Sequence, residues 1–243
     1  MVPQNRNEDC VPLISSIKVD AACGVLCKQP PMTTRDFNRE AAHWDEQPGR
    51  IKMADELFAA LVRHVPLTPQ TDAFEFGCGT GLITMRLQPQ VRRIVGVDSS
   101  EGMLAQLAKK ITAARAANIE TRLVDLAKGD RLEGQYDLVV ISMVLHHIPV
   151  LAEIFAQFHR ILRPDGRLAI LDLDPEDGSF HSDPTGIFHN GFDREALARE
   201  LVATGFANVT FTLATEIVKE KEPGRKRVYS IFLAVASKDA TAH

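Results

Sequence analysis

The residues whose types and spacing could do chemistry gather in a few places. The stretch DAFEFGCGTGLITMRL, Asp72 to Leu87, runs apolar, sets Gly77, Gly79 and Gly81 at every second position, then turns apolar again at helical spacing. Glycines let the backbone approach a ligand because no Cβ intervenes. The helix that follows adds free N–H groups and the positive end of its dipole. Two acids follow: Asp98 closes RRIVGVD and Asp125 closes ETRLVD. A carboxylate at the first position can accept from both hydroxyls of a ribose, and one at the second from the exocyclic amine of adenine. One glycine turn is a weak signal. A turn plus two acids at the ends of successive strands points to a nucleoside-bearing ligand. The dinucleotide spacing G-x-G-x-x-G/A is not met, because its sixth position is Leu82, too bulky for the close helix packing a third glycine allows. That residue opposes a nicotinamide-dependent oxidoreductase.

A second group is imidazole. His146 and His147 stand in SMVLHHIP, and either a base or an acceptor-orienting group at His147 fits a ring that titrates near neutral pH. The alternative is that LHHI only turns the chain before Pro149. The stretch 174–193, DPEDGSFHSDPTGIFHNGFD, carries Glu176, Phe180, His181, Phe188, His189 and Phe192 and is too long for a simple connection. It reads as a loop covering a bound molecule, with His189 as a second candidate for catalysis. Upstream, DFNREAAHWDEQPGR holds Phe37, Arg50 and the single tryptophan, Trp44. It reads as a lid helix, or equally as a helix packed on the sheet edge. Cys78 is either a nucleophile or a small residue beside a ligand, and no basic partner stands near it in sequence.

The elements that must position these groups alternate. Apolar spacing predicts helices over 51–65, 82–87, 101–117 and 150–162, and strands over 73–76, 92–98, 120–125, 136–144 and 167–174, the last entered through PDG. The run 136–144 is apolar throughout, as a strand buried on both faces should be. Such alternation predicts a parallel sheet with helices on both faces. Asp193 is a good N-cap for a helix ending at Gly205. Two β-rich runs, 208–218 and 228–237, then flank a Pro-Gly turn and predict an antiparallel hairpin. Arg225, Lys226 and Arg227 at its tip read as a solvated charge run, and no internal repeat is present.

Composition bounds the rest. The 243 residues, 45% hydrophobic and 25% charged, suit one α/β domain with an appendage. No apolar run is long enough to span a membrane. A net charge of −4 argues against a dedicated nucleic-acid binder, and nothing specifies an oligomeric state. Four cysteines (Cys10, Cys23, Cys27 and Cys78) make no disulfide framework and fit a reducing, cytoplasmic setting. Residues 1–31 lack periodicity and hold four prolines. They match neither a signal peptide nor a transit peptide and read as a disordered or loosely docked extension ahead of a domain over 32–243. Cys23 and Cys27 have CxxxC spacing, but Pro30 stands where an iron–sulfur motif needs its third cysteine.

FEFGCGTGLIT, VGVDSSEGML, VDL, YDLVVISMVLHHIP and LRPDGRLAILDLD together resemble the motifs of class I S-adenosylmethionine-dependent methyltransferases, most nearly the small-molecule branch that includes the ubiquinone/menaquinone-biosynthesis enzymes. The resemblance runs from about Thr33 to Lys238 and does not specify one substrate. It implies a Rossmann-like, seven-stranded, mostly parallel sheet with an antiparallel C-terminal hairpin, S-adenosyl-L-methionine as cofactor, and a small-molecule acceptor. Carried over, Gly77, Cys78, Gly79 and Gly81 line the methionine part of the cofactor and its turn. Asp98 binds the ribose, Ser99 and Met103 flank the adenosine, Asp125 and Leu126 hold adenine, and Ser142 and Met143 face the sulfonium. No metal is expected: Met143 and His146 stand where metal-binding relatives need acids. The N-P-P-Y-type tetrapeptide of amine methylation does not follow the fourth strand, and no cysteine cluster supports arsenite or radical chemistry. A protein acceptor, or an adaptor retaining the cofactor fold, remain as alternatives.

Overall fold

A computed structural model describes residues 35–222 and 224–238, without the side chains of 221 and 222. The extension 1–31, with Cys10, Cys23 and Cys27, lies outside the described residues. The described chain runs α1 (Phe37–Glu40), a 3-10 segment (Ala41–Glu46), α2 (Pro48–His64), β1 (Asp72–Phe76), α3 (Thr84–Leu87), β2 (Arg93–Asp98), α4 (Glu101–Ala114), β3 (Ile119–Leu123), β4 (Tyr136–Ser142), α5 (Leu151–Ile161), β5 (Leu162–Leu173), α6 (Arg194–Ala203), β6 (Phe206–Glu222) and β7 (Arg225–Lys238).

The strands form one seven-stranded sheet in the order β3-β2-β1-β4-β5-β7-β6. The first five are mutually parallel, while β7 runs antiparallel to β5 and β6 antiparallel to β7. This is the Rossmann-like architecture with a C-terminal hairpin that the sequence predicts. Alternate residues of the central strands feed two cores. Phe74, Phe76, Val139 and Ile141 face α5 and α6, whose Phe155, Phe158, Leu197 and Leu201 cover them. Ala73, Leu138 and Val140 face the other way, toward Leu57 and Leu61 of α2 and Ile83 and Leu87. Each fully buried Leu or Phe contributes about 1.5–3 kcal/mol against exposure, so helices on both faces are what an all-apolar β4 requires.

Several boundaries differ from expectation. The predicted lid helix is one helical turn followed by a 3-10 segment. The helix after the glycines begins only at Thr84, because positive φ at Gly77, Gly79 and Gly81 delays it. The helix α4 stops at Ala114, where Arg115 takes a left-handed conformation. The strand β3 ends at Leu123, so Asp125 does not close it but caps a 3-10 turn over Leu126–Lys128. The strand β5 starts at Leu162 and absorbs the PDG stretch, with a register shift opposite Tyr136–Leu138 and a left-handed Asp165. Asp193 is the expected N-cap, its side chain accepting from Ala196 N–H at 2.8 Å.

Candidate active site

The strand order reverses between β1 and β4, the position at which open α/β sheets bind ligands. The glycine turn leaves β1 there, and the turn after β4 meets it. All three glycines have positive φ. A Cβ on Gly77 would lie 2.6 Å from a Val144 methyl, and one on Gly81 would lie 2.2 Å from Leu107. A Cβ on Gly79 would meet nothing within 4 Å. Two of the glycines therefore let protein pack against the turn, while the middle one faces open space.

Asp98 stands beside that opening. It accepts from Gly79 N–H at 2.8 Å through one oxygen and from Ser100 N–H at 2.8 Å through the other. A carboxylate has about four acceptor sites, so its backbone donors leave capacity for a ligand hydroxyl. Burial raises its pKa, and backbone donors at Ser100, Gly79 and Ser99 oppose that rise. Ser100 caps α4 by accepting from Met103 N–H, which sets the free end of a 14-residue helix at the same rim. Ser99 is exposed beside it, whereas Met103 is buried. Asp125 accepts from Ala127 N–H at 3.0 Å and pairs with Lys128, with Leu126 half-buried next to it.

Cys78 is buried with its sulfur packed toward Gly96, and burial, with Glu75 and Asp98 nearby, pushes its thiol well above the ordinary range. That keeps the sulfur protonated and argues against the nucleophile reading. Sequence reasoning passed over Glu75, two residues before Gly77. It is buried, accepts from the Thr84 hydroxyl at 2.5 Å, and is raised to about 8, mainly by burial. An acid between two phenylalanines, in the apolar run AFEF just ahead of the glycines, was the signal.

The segment 35–50 straps across this opening. Asp45 accepts from the Thr80 hydroxyl at 2.7 Å and pairs with Lys110, whose ammonium also donates to Thr80 O at 2.7 Å. Asn38 Oδ1 accepts from Gly102 N–H at 2.8 Å and lies 2.8 Å from the Ser100 hydroxyl. Trp44 lies under the Arg50 guanidinium at 3.6 Å, and Phe37 meets Trp44 and His147 edge-on, at 5.9 and 5.3 Å between ring centres. Asp45 and Asn38 thus tie this segment to the glycine turn and to the start of α4, while Trp44 packs within the segment itself.

Ser142 ends β4 and Met143 follows it in the turn, where Met143 holds a left-handed φ of 55° while its N–H donates to Leu171 O at 2.8 Å. Strain of this kind in a non-glycine residue costs about 1–3 kcal/mol and tends to cluster at functional sites. His147 follows in a 3-10 turn. Its Nδ1 lies 2.7 Å from Gly186 O, so Nδ1 carries the proton and Nε2 keeps its lone pair. Burial, then the neighbouring His146, lowers its pKa to about 4. His146 is buried and donates from Nδ1 to Asp172 at 2.7 Å. His189 is placed differently: its Nε2–H donates to Ile148 O at 2.9 Å and its ring pairs with Phe192, so it ties the covering loop down. The sequence signal that could have found Asp172 is an acid inside the apolar fifth strand, LDLD. Among the described residues no group of three or more His, Cys, Asp or Glu is arranged to hold a metal ion, and no helix is long and apolar enough to cross a membrane.

Residues 74–168 match the family model described as a methyltransferase domain. An uncharacterized methyltransferase of Schizosaccharomyces pombe is 37% identical over 131 residues, 48% of this chain and 46% of that protein. The demethylmenaquinone methyltransferase of Lactobacillus johnsonii is 27% identical over 60% of this chain and 62% of its own. The chain thus spans less than two thirds of the length of both relatives. The solved structure of a SAM dependent methyltransferase from Aquifex aeolicus superposes with a TM-score of 0.62 at 15% identity, over 83% of this chain and 98% of that one, a likeness of fold. The strand order, the glycine turn and Asp98 agree with these matches: residues 74–168 resemble a methyltransferase domain, on a fold like that of a solved SAM dependent methyltransferase.

Proposed function

We propose that the protein transfers a methyl group from S-adenosyl-L-methionine to a small-molecule acceptor. The observation that carries this reading is the open space before Gly79 beside the Asp98 carboxylate, at the point where the strand order reverses. The cofactor fits these residues: Asp98 accepts from the ribose hydroxyls, the Gly77–Gly81 turn backs the methionine portion, and Ser99, Asp125 and Leu126 take the adenosine end. Met103 and Cys78, both buried, contribute by backing that surface. When bound, the cofactor supplies a methyl already activated on a sulfonium, so the chain's own work is mostly to position the acceptor and exclude water. Ser142 and Met143 face the transfer point. His147 Nε2 takes the acceptor proton, held in that tautomer by Gly186, while Phe37 covers it. His189 positions the loop through Ile148.

A small acceptor suits a site closed by the strap 35–50 and the loop 174–193, and agrees with the similarity to a demethylmenaquinone methyltransferase. We assign the domain to residues 32–243 and a cytoplasmic setting on the low cysteine content. A chain begun at Met32 is expected to bind cofactor with unchanged affinity. The direct test is incorporation of labelled methyl from S-adenosyl-L-methionine into a metabolite extract. Labelled small molecules are the expected product. Label only in protein would favour a protein methyltransferase, and no transfer despite cofactor binding would favour an adaptor.

A further inference from the structure

The β6–β7 hairpin outruns the sheet it belongs to. β5 pairs with β7 only as far as Leu173 opposite Ile231, whereas β6 and β7 stay paired up to Glu222 opposite Arg225. Residues 216–222 and 225–230 therefore form a two-stranded arm that extends past the carboxyl end of β5. A two-stranded ribbon is marginal by itself and needs something packed on it. One face has such a cover. Lys219 Nζ donates to Phe180 O at 2.7 Å, the Tyr229 and Ser179 hydroxyls lie 2.6 Å apart, and Phe180 meets Tyr229 edge-on at 5.2 Å between ring centres. That face holds the loop 174–193.

Among the described residues the opposite face has no such cover. The register puts Val218 opposite Val228, Glu220 opposite Lys226 and Glu216 opposite Ser230, so these side chains share one face. A register shift between Leu213 and Thr215 brings Leu213, opposite Phe232, onto the same face. Leu213, Val218 and Val228 are 54, 57 and 54% exposed, and Glu216, Glu220 and Lys226 are exposed around them. An apolar patch rimmed by charge is the signature of a surface that associates.

The charges indicate the partner. On this face β6 supplies the acids, Glu216 and Glu220, and β7 the base, Lys226. Glu220 and Lys226 stand opposite each other without forming an ion pair, and neither Lys226 nor Glu216 has one elsewhere among the described residues. Glu220 commits one oxygen to Gly224 N–H at 2.8 Å. A face with acids along one strand, a base along the other and aliphatic groups on both is complementary to a second copy of itself.

We propose that this face is a homodimer interface, in which a second copy of the chain lays its arm over the first across a twofold axis. Val218 packs against Val228 of the partner subunit and Glu220 pairs with Lys226 of the partner subunit, each contact occurring twice as an isologous interface requires. The patch is small, so the dimer is weak and forms only as concentration rises.

Sedimentation of the full chain from about 1 to 500 μM tests this. The average mass is expected to rise toward that of two chains across the range. Val218→Lys combined with Val228→Lys should weaken association at least about tenfold, because cations then meet at its centre. Glu220→Lys alone sets cations against each other across the twofold, and Lys226→Glu alone sets acids against each other, so each should weaken association similarly. Mixed in equal amounts, those two single variants should form a one-to-one heterodimer, since every such contact between them joins opposite charges. All four positions are exposed, so unfolding midpoints near that of the unsubstituted chain are expected. A chain that stays monomeric throughout overturns the proposal and leaves the face to a different partner. A dimer that the paired valine substitutions leave intact overturns it too, as does a mixture of the two charge variants that stays monomeric.

Discussion

Nδ1 of His147 lies 2.7 Å from the carbonyl oxygen of Gly186, and this contact selects the tautomer whose Nε2 can take a proton. His147→Gln is therefore expected to lower turnover by about 10²–10⁴ while leaving cofactor affinity nearly unchanged. His189→Ala, which loosens the loop at Ile148, should instead lower melting temperature along with rate. Rate, affinity and melting temperature measured for both variants distinguish the roles. Because His147 is lowered to about 4, kcat/KM should stay flat above about pH 5 and fall only toward pH 4.

Gly77 and Gly79 should fail differently. Gly77→Ala drives a Cβ to 2.6 Å from Val144 at a φ of +69°, so a loss of about 2–4 kcal/mol is expected from clash and backbone strain together. Val144→Ala in the same chain should recover the clash but not the strain. Gly79→Ala has room for its Cβ, so stability should fall by only about 1–2 kcal/mol while cofactor affinity suffers. Denaturant unfolding and calorimetry read the two effects separately.

Asp98→Ala removes the acceptor beside the opening and the partner of two backbone N–H groups. Cofactor binding should weaken by about 1–3 kcal/mol, the scale of charge-assisted hydrogen bonds. Unchanged affinity in calorimetry would remove Asp98 from the ribose.

Glu75 makes stability fall with pH. Its folded pKa of about 8 stands above the ordinary 4.5, so between those values the folded state holds a proton the unfolded state has lost. That contribution is complete below about pH 4.5 and is lost as pH rises toward 8. His147 has the opposite sign: it is depressed from 6.5 to about 4, so its contribution is present above pH 6.5 and lost on acidification. The two oppose each other at mildly acid pH and leave a decline between pH 6.5 and 8. Glu75→Gln should flatten that decline in unfolding experiments run across the range.

The parts legible in the sequence are those whose signal is local. The glycine turn, Asp98 at a strand end and Asp193 at a helix start each announce themselves within a few residues, because turn geometry and capping are short-range physics. The strand and helix alternation gave the sheet for the same reason. The parts hidden from it join distant residues: Asp45 to Thr80, Asn38 to the start of α4, Asp172 to His146, and His181 to the imidazoles after β4. No periodicity encodes those pairings. Asp125 shows the intermediate case, where its position at the rim is legible but its capping of a short turn depends on how β3 ends.

The central claim is that the site is built for S-adenosyl-L-methionine, and titration calorimetry of the full chain with S-adenosyl-L-methionine, S-adenosylhomocysteine and NADH tests it most directly. The account predicts saturable one-to-one binding of the first two, weakened by Asp98→Ala, and no binding of NADH, against which Leu82 stands. Binding of NADH with no response to either sulfur compound would contradict it.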